Sequence, residues 1–362
     1  MKKLEKSISV ITLAFSISDI SALTLNPSPN NREKAYYTIE KAINPPKPNK
    51  TVDIVNPKSM DLADCSHKGT EHIVVEFDSE VKTNVFKILS HKIDGDGGCK
   101  VDTSVDYTKA RTEIKLPAGS PFVAILGTQV TYSWKFKLNN VSPTNTEYFH
   151  TFQLKARSDA PKPLDLIEQD EYNNKLDPRV RFSLKDRTQP ESEYGCNTVP
   201  FFTDLTNLEE TDLAFSKIGD KEKFDFLCQK NLVVGGAITW EVNAINDSRS
   251  FQSLYRQDIS EFNNKWFEAT VVAKIIDKDH GNFNFELKKL NKETNKFEHY
   301  HGFNTDMDLW GDVLPYGEWS ELYPKIGMYF KKSSNFDKNN GFSDSSMSVY
   351  DIKFNRIPIT KK

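Results

Sequence analysis

The chain has 362 residues, with 48 Lys and Arg against 51 Asp and Glu. The net charge of −3 excludes a strongly basic nucleic-acid binder as the default. The mean hydropathy is −0.58, and no run of 18 apolar residues occurs, which excludes an ordinary helical membrane span. Aromatic residues reach 12%, too many for a disordered chain and well suited to strands.

The N-terminus carries Lys2, Lys3 and Lys6, an apolar stretch from Ile8 to Ile17 and the small pair Ser21-Ala22. That order predicts a secretory signal peptide over residues 1–22 and an extracellular protein. Residues 23–64 are rich in Pro, Asn and Lys, as in Asn44-Pro45-Pro46-Lys47-Pro48, and are expected as a tether. The four cysteines, Cys65, Cys99, Cys196 and Cys228, fit export. Three pairings are open, and proximity in sequence favours Cys65–Cys99 with Cys196–Cys228. Asn49 and Asn246 stand in glycosylation sequons; that of Asn140 is followed by Pro143.

Short alternating patterns then recur between polar turns: 72–77, 112–116, 130–138, 148–156, 180–184, 267–276, 283–287, 325–330 and 349–354. Many short strands of this kind predict an all-β fold, a sandwich of two antiparallel sheets, as one domain over 65–356 with a tail at 357–362. Residues 158–262 form an irregular, charge- and Asn-rich region. The main helical pattern, 204–230, lies inside it.

Alternation sorts side chains by face. Arg111, Glu113 and Lys115 share one face of their strand. Lys135 lies opposite Tyr132, Trp134 and Phe136; Arg181 lies opposite Val180 and Phe182; Lys325 and Tyr329 lie opposite Ile326 and Met328. Four strands therefore pair an apolar face with a basic one. They form a cationic surface if they neighbour one another, and otherwise they are solvated strand faces.

Other constellations are weaker. His299-Tyr300-His301 puts two imidazoles on one face without a partner at metal-ligand spacing. Asp94-Gly95-Asp96-Gly97-Gly98 lacks the downstream Glu of a calcium loop and reads better as a tight turn. Asn304 to Trp310 is either an indole-bearing rim for a sugar or a plain acidic loop. No second carboxylate faces Glu113 as a glycosidase requires, and no Gly-x-Ser-x-Gly elbow occurs.

The segment Tyr107-Thr108-Lys109-Ala110-Arg111-Thr112-Glu113-Ile114-Lys115 resembles the Arg-(Ser/Thr/Asn)-Glu strand of jelly-roll polysaccharide lyases. Tyr132 to Leu138 fits the strand after it. Phe149-His150-Thr151-Phe152-Gln153-Leu154-Lys155 resembles their His/Gln strand. Tyr323-Pro324-Lys325-Ile326-Gly327-Met328-Tyr329 resembles their Lys-x-Gly-x-Tyr strand, with Ser348 to Phe354 as the closing strand. The resemblance runs from about residue 70 to 356 and points to secreted glucuronan-lyase-like and alginate-lyase-like proteins. It implies a jelly roll with a concave groove, cleavage of a uronate-containing polysaccharide by β-elimination, an acidic polysaccharide as partner, and a monomer needing neither nucleic acid nor membrane. No cofactor is implied; structural calcium is the one ion left open.

Such a lyase removes the C5 proton beside a carboxylate and expels the 4-oxygen. The carboxylate must be neutralised by donors such as Arg, Gln or His. A Tyr or His takes the proton, and an acid, often Tyr, protonates the leaving oxygen. The resemblance gives the catalytic set Arg111, His150, Gln153 and Tyr329. Arg111 and Gln153 hold the carboxylate, Tyr329 is the acid and a candidate base, and Lys325 lowers the phenol's pKa. Glu113, Lys115, Lys135, Lys155, Arg181 and Lys325 are the expected substrate contacts. One departure stands out. His150 and Gln153 are three residues apart, so regular alternation puts His150 inside, and a β-bulge is required to return it to the polar face. The competing reading is a carbohydrate-binding, lectin-like jelly roll without turnover; a third is a wall or coat protein.

Overall fold

The computed structural model describes residues 22–28, 34–52, 58–62, 72–90, 109–141, 146–158, 179–186, 238–245, 251–310, 319–332 and 345–359. The expected signal peptide, all four cysteines, the Asn246 sequon, the Asp94–Gly98 turn and the helical pattern at 204–230 lie outside these residues.

In chain order the elements are β1 (Leu23–Leu25), α1 (Ala35–Ile43), β2 (Met60–Leu62), β3 (Ile73–Asp78), β4 (Thr83–Ser90), β5 (Lys109–Lys115), β6 (Thr128–Asn139) and β7 (Thr146–Ser158). There follow β8 (Val180–Asp186), β9 (Ile238–Ile245), β10 (Phe251–Asp258), β11 (Trp266–Ile275), β12 (Gly281–Asn291), β13 (Lys296–Asp306), β14 (Trp319–Lys332) and β15 (Ser345–Pro358). They build a jelly-roll β-sandwich. The first sheet runs β13-β12-β11-β6-β15-β4-β3, with β1 on the far half of β15; the second runs β10-β9-β8-β7-β14-β5-β2. Every strand pairing within the sheets is antiparallel.

The core lies between the sheets and follows from alternation. β6 buries Val130, Tyr132, Trp134, Phe136 and Leu138 in strict period two. β8 buries Val180, Phe182 and Leu184, and β9 buries Trp240, Val242 and Ala244. Trp134 stacks on Phe152 with ring centroids 4.8 Å apart, and Trp240 stacks on Phe262 at 4.6 Å. Each such side chain contributes about 1.5–3 kcal/mol of burial, so the polar positions between them are held to the outer faces.

The segment 23–64, expected as a tether, is partly built into the sandwich. Ala35, Ile39 and Ile43 repeat every fourth residue and form the buried stripe of α1. At nine residues that helix is too short to persist alone; packing holds it, and the Pro45-Pro46 pair follows its end at Asn44. β1 and β2 add strands to the two sheets. Within the irregular middle region, β8, β9 and β10 extend the second sheet.

Candidate active site on the outer face of the second sheet

β7, β14 and β5 are neighbours in the second sheet, so three of the sequence segments that carry the lyase resemblance lie side by side. The β5–β14 register is regular and sets Tyr329 opposite Arg111, Gly327 opposite Glu113 and Lys325 opposite Lys115. On the other edge of β14, Lys325 stands opposite Gln153 and Tyr329 opposite His150. Arg111, Gln153, Lys325 and Tyr329 thus share one face.

His150 joins them because the required bulge is present. Against β8, His150 pairs with Ser183 and Phe152 with Phe182, which leaves Thr151 as the extra residue of β7. The Thr151 hydroxyl donates to the Phe182 carbonyl at 3.4 Å. A matching irregularity sets Gly327 and Met328 of β14 against Thr151 alone. Same-face positions are therefore two residues apart on β8 (Arg181, Ser183), three on β7 (His150, Gln153) and four on β14 (Lys325, Tyr329). The sheet gains one residue per strand across the site, and Phe152 stays in the core while His150 and Gln153 both face outward.

Gly327 makes the centre possible. Its φ is +151°, and a methyl group there would lie 2.2 Å from the Thr112 carbonyl oxygen and 2.7 Å from the Glu113 Cα. Only glycine lets β5 approach β14 so closely. Glu113 then sits fully buried among three partners. Gln153 Nε2 donates to its Oε1 at 2.5 Å, while Arg111 Nε and Lys325 Nζ each stand 3.5 Å from its Oε2. One carboxylate between two cations leaves the cluster with a positive charge, and breaking a buried set of this kind costs several kcal/mol. Glu113, expected as a substrate contact, is placed as a fully buried hub that fixes Gln153, Arg111 and Lys325.

At the other end of the cluster, the Arg111 guanidinium lies over the Tyr329 ring at 4.0 Å. The His150 ring meets Tyr329 edge-on with centroids 5.9 Å apart. His150 Nδ1 is 2.8 Å from Ser183 Oγ. Arg111 and Tyr329 are partly exposed, whereas His150, Gln153 and Lys325 are buried beneath them. Arg181 and Lys155 lie on the same face, opposite Gln153 and Tyr323.

Lys135 is placed elsewhere, and of the two readings open for Asn304 to Trp310 one falls away. Lys135 is on β6, in the first sheet, where it pairs with Asp351 at 2.8 Å; alternation gives the face of a strand but not the sheet it enters. Trp310 is buried, with its backbone N–H bonded to Asp308, so it forms no sugar-stacking rim. On β13, His301 is stacked on Tyr255 at 4.0 Å, and burial, then the neighbouring His299, hold its pKa below the usual histidine range. No cluster of potential metal ligands occurs among the described residues.

The face also holds groups that sequence reasoning passed over. Ser183 was visible as the polar neighbour of Arg181. Glu241 and Arg256 form a buried ion pair at 2.9 Å, and Glu241 stands opposite Ser183. The alternation Trp240, Val242, Ala244 was the available signal for it.

No protein-family model and no curated protein matches the chain. Among solved structures it is similar to the marine PL-14 alginate lyase from Aplysia kurodai, at 9% identity and a TM-score of 0.40 over 94% of this chain and 99% of that one. It is similar to an endo-β-1,4-glucuronan lyase from the fungus Trichoderma reesei, at 9% identity and 0.35 over 81% and 93%. It is also similar to the seed lectin of Lotus tetragonolobus, at 8% identity and 0.35 over 84% and 96%. Scores this low leave the functional question to the site itself.

Proposed function

We propose that this protein is an exported polysaccharide lyase that cleaves an acidic, uronate-containing polysaccharide by β-elimination. The observation that carries the reading is the packing of Arg111, Tyr329 and His150 at one point of a sheet face, over the Glu113–Gln153–Lys325 hub. In this scheme Arg111 receives the uronate carboxylate and stabilises the charge that moves into it as C5 loses its proton. Gln153, which gives one amide hydrogen to Glu113, holds its second for the same carboxylate. In the tautomer that donates Nδ1–H to Ser183, His150 carries its lone pair on Nε2 and takes the C5 proton. The C4–O4 bond breaks as C4=C5 forms, and the Tyr329 hydroxyl protonates O4. Proton return from His150 to the Tyr329 phenolate resets the site.

Incubation with polyglucuronate and alginate, followed by the absorbance of the new C4–C5 double bond, tests this directly. Wild type is expected to generate unsaturated ends. Tyr329→Phe should abolish turnover and retain binding, since it removes one hydroxyl and little packing area. Full activity in Tyr329→Phe would overturn the assignment. The burial of His150 and Gln153 favours a second reading, a carbohydrate-binding jelly roll; binding by wild type without any unsaturated product would select it.

A further inference from the structure

A cavity of about 660 Å³ opens on the same sheet face, displaced along the strands from Tyr329. It is lined by Lys115 of β5 and Arg157 of β7, by Asn44 and Lys58 from the N-terminal segment, and by the turn with Gly119 and Ser120; the N-terminal segment and that turn are its walls. None of its lining residues is acidic.

The acids lie behind the walls and hold them in place. Glu40 is buried on α1; its Oε1 accepts from Asn44 Nδ2 at 2.6 Å and its Oε2 from the Ser59 N–H at 2.8 Å. The Ser59 carbonyl in turn accepts from the Lys115 N–H at 2.9 Å. Lys58 is thus carried on a backbone pinned from both sides. Across the cavity, Glu321 ion-pairs with Arg157 and accepts from the Gly119 N–H at 3.1 Å. Arg157 is held flat over the Tyr323 ring at 4.0 Å. Glu321 balances Arg157, and Lys58 and Lys115 give the lining an excess of positive charge.

We propose that this cavity is a second anion subsite, which takes the carboxylate of a uronate residue remote from the one undergoing elimination. The proposal rests on the lyase reading and narrows its substrate. Lys115 is four residues from Arg111 on one strand, about 13 Å at a strand's rise per residue. Cationic groups at both ends of that span suit a polymer with a carboxylate on successive sugars, not a neutral chain with an isolated uronate. The N-terminal segment then has a role in recognition, because α1 and the residues after it supply one wall.

The test is calorimetric binding of unsulfated oligoglucuronates and oligoalginates of two to eight sugars to full-length Tyr329→Phe, with and without Lys58→Ala or Lys58→Glu. Lys58 is exposed, so both changes are compatible with folding. The expected result is unchanged affinity for the shortest oligomer that binds. For the octamer the loss should be about tenfold with Lys58→Ala, the equivalent of one charge-assisted hydrogen bond, and larger with Lys58→Glu. Equal affinity of all three proteins for every length would overturn the subsite while leaving the lyase reading intact. Sensitivity to Lys58 seen only with sulfated, heparin-derived octamers would overturn the assignment to carboxylate. Absence of binding to any uronate oligomer would overturn both readings together.

Discussion

Replacing Gly327 by Ala is expected to separate the strands that assemble the site. The added methyl would lie 2.2 Å from the Thr112 oxygen, so β5 must withdraw by about 1 Å to restore ordinary contact. The φ of +151° belongs to a region that side chains avoid, at a cost of about 1–3 kcal/mol. Overpacking adds about 1–3 kcal/mol. The total of about 2–6 kcal/mol is a large share of a typical domain's stability. Withdrawal of β5 also carries Glu113 away from Gln153 and Lys325, and Arg111 away from Tyr329. Urea denaturation, with turnover measured at low temperature on the surviving folded fraction, reads both effects. Gly119→Ala is the control. Its φ is +70° and its methyl meets nothing within 4 Å, so it should cost only about 1–2 kcal/mol. If Gly327→Ala unfolded at the same urea concentration as Gly119→Ala, the close approach of β5 and β14 would not be the constraint described.

Two other outcomes are expected. Glu113→Gln leaves Arg111 and Lys325 facing a neutral amide and should destabilise by about 3–5 kcal/mol; an unaltered denaturation midpoint would show that Glu113 is no hub. Burial is the largest single influence on Asp78 and Asp351 and pushes both up, but the lowering contacts together outweigh it and hold both below the usual carboxylate range: Lys137 with the Val81 and Glu80 N–H groups for Asp78, and Lys135 with Lys353 for Asp351. A carboxyl whose folded pKa is depressed adds stability above its unfolded value of about 3.9, and that stability is lost as pH falls through the folded pKa. Lys137→Met should therefore move the onset of acid unfolding, followed by circular dichroism, to higher pH; an unmoved acid limb would refute the pairing.

The nine strands read from alternation all recur, because most of them bury one face against the other sheet and period two is then imposed on the sequence. Several elements that were missed lack that imprint for identifiable reasons. β13 lies at the edge of the first sheet and is largely exposed along its length. β9 is legible only as Trp240, Val242 and Ala244 inside a region of mixed composition. α1 is nine residues behind a Pro-rich stretch, and three apolar positions are too few to announce a helix. At the site, regular alternation failed at His150 by one residue. Only the three-dimensional register shows that Thr151 is the residue left over. Lys135 shows the opposite limit: its face was correct and its sheet was not.

The order of the chain and the order of the sheets have a consequence for biosynthesis. β14 lies between β7 and β5, and β15 lies between β6 and β4. The last two strands among the described residues, β14 and β15, are therefore interior strands of the two sheets. Leu23 of β1 pairs with Phe354 of β15, so β1 waits for β15, tens of seconds at ~5–20 residues per second of synthesis. Until β14 arrives, β5 and β7 have no shared neighbour, and Glu113 and Gln153 belong to separate pieces. Closure over such long sequence separations is intrinsically slow. A chain cut before β14 would hold two divided sheets with open edges, so neither the hub nor the cationic face exists until β14 has been made.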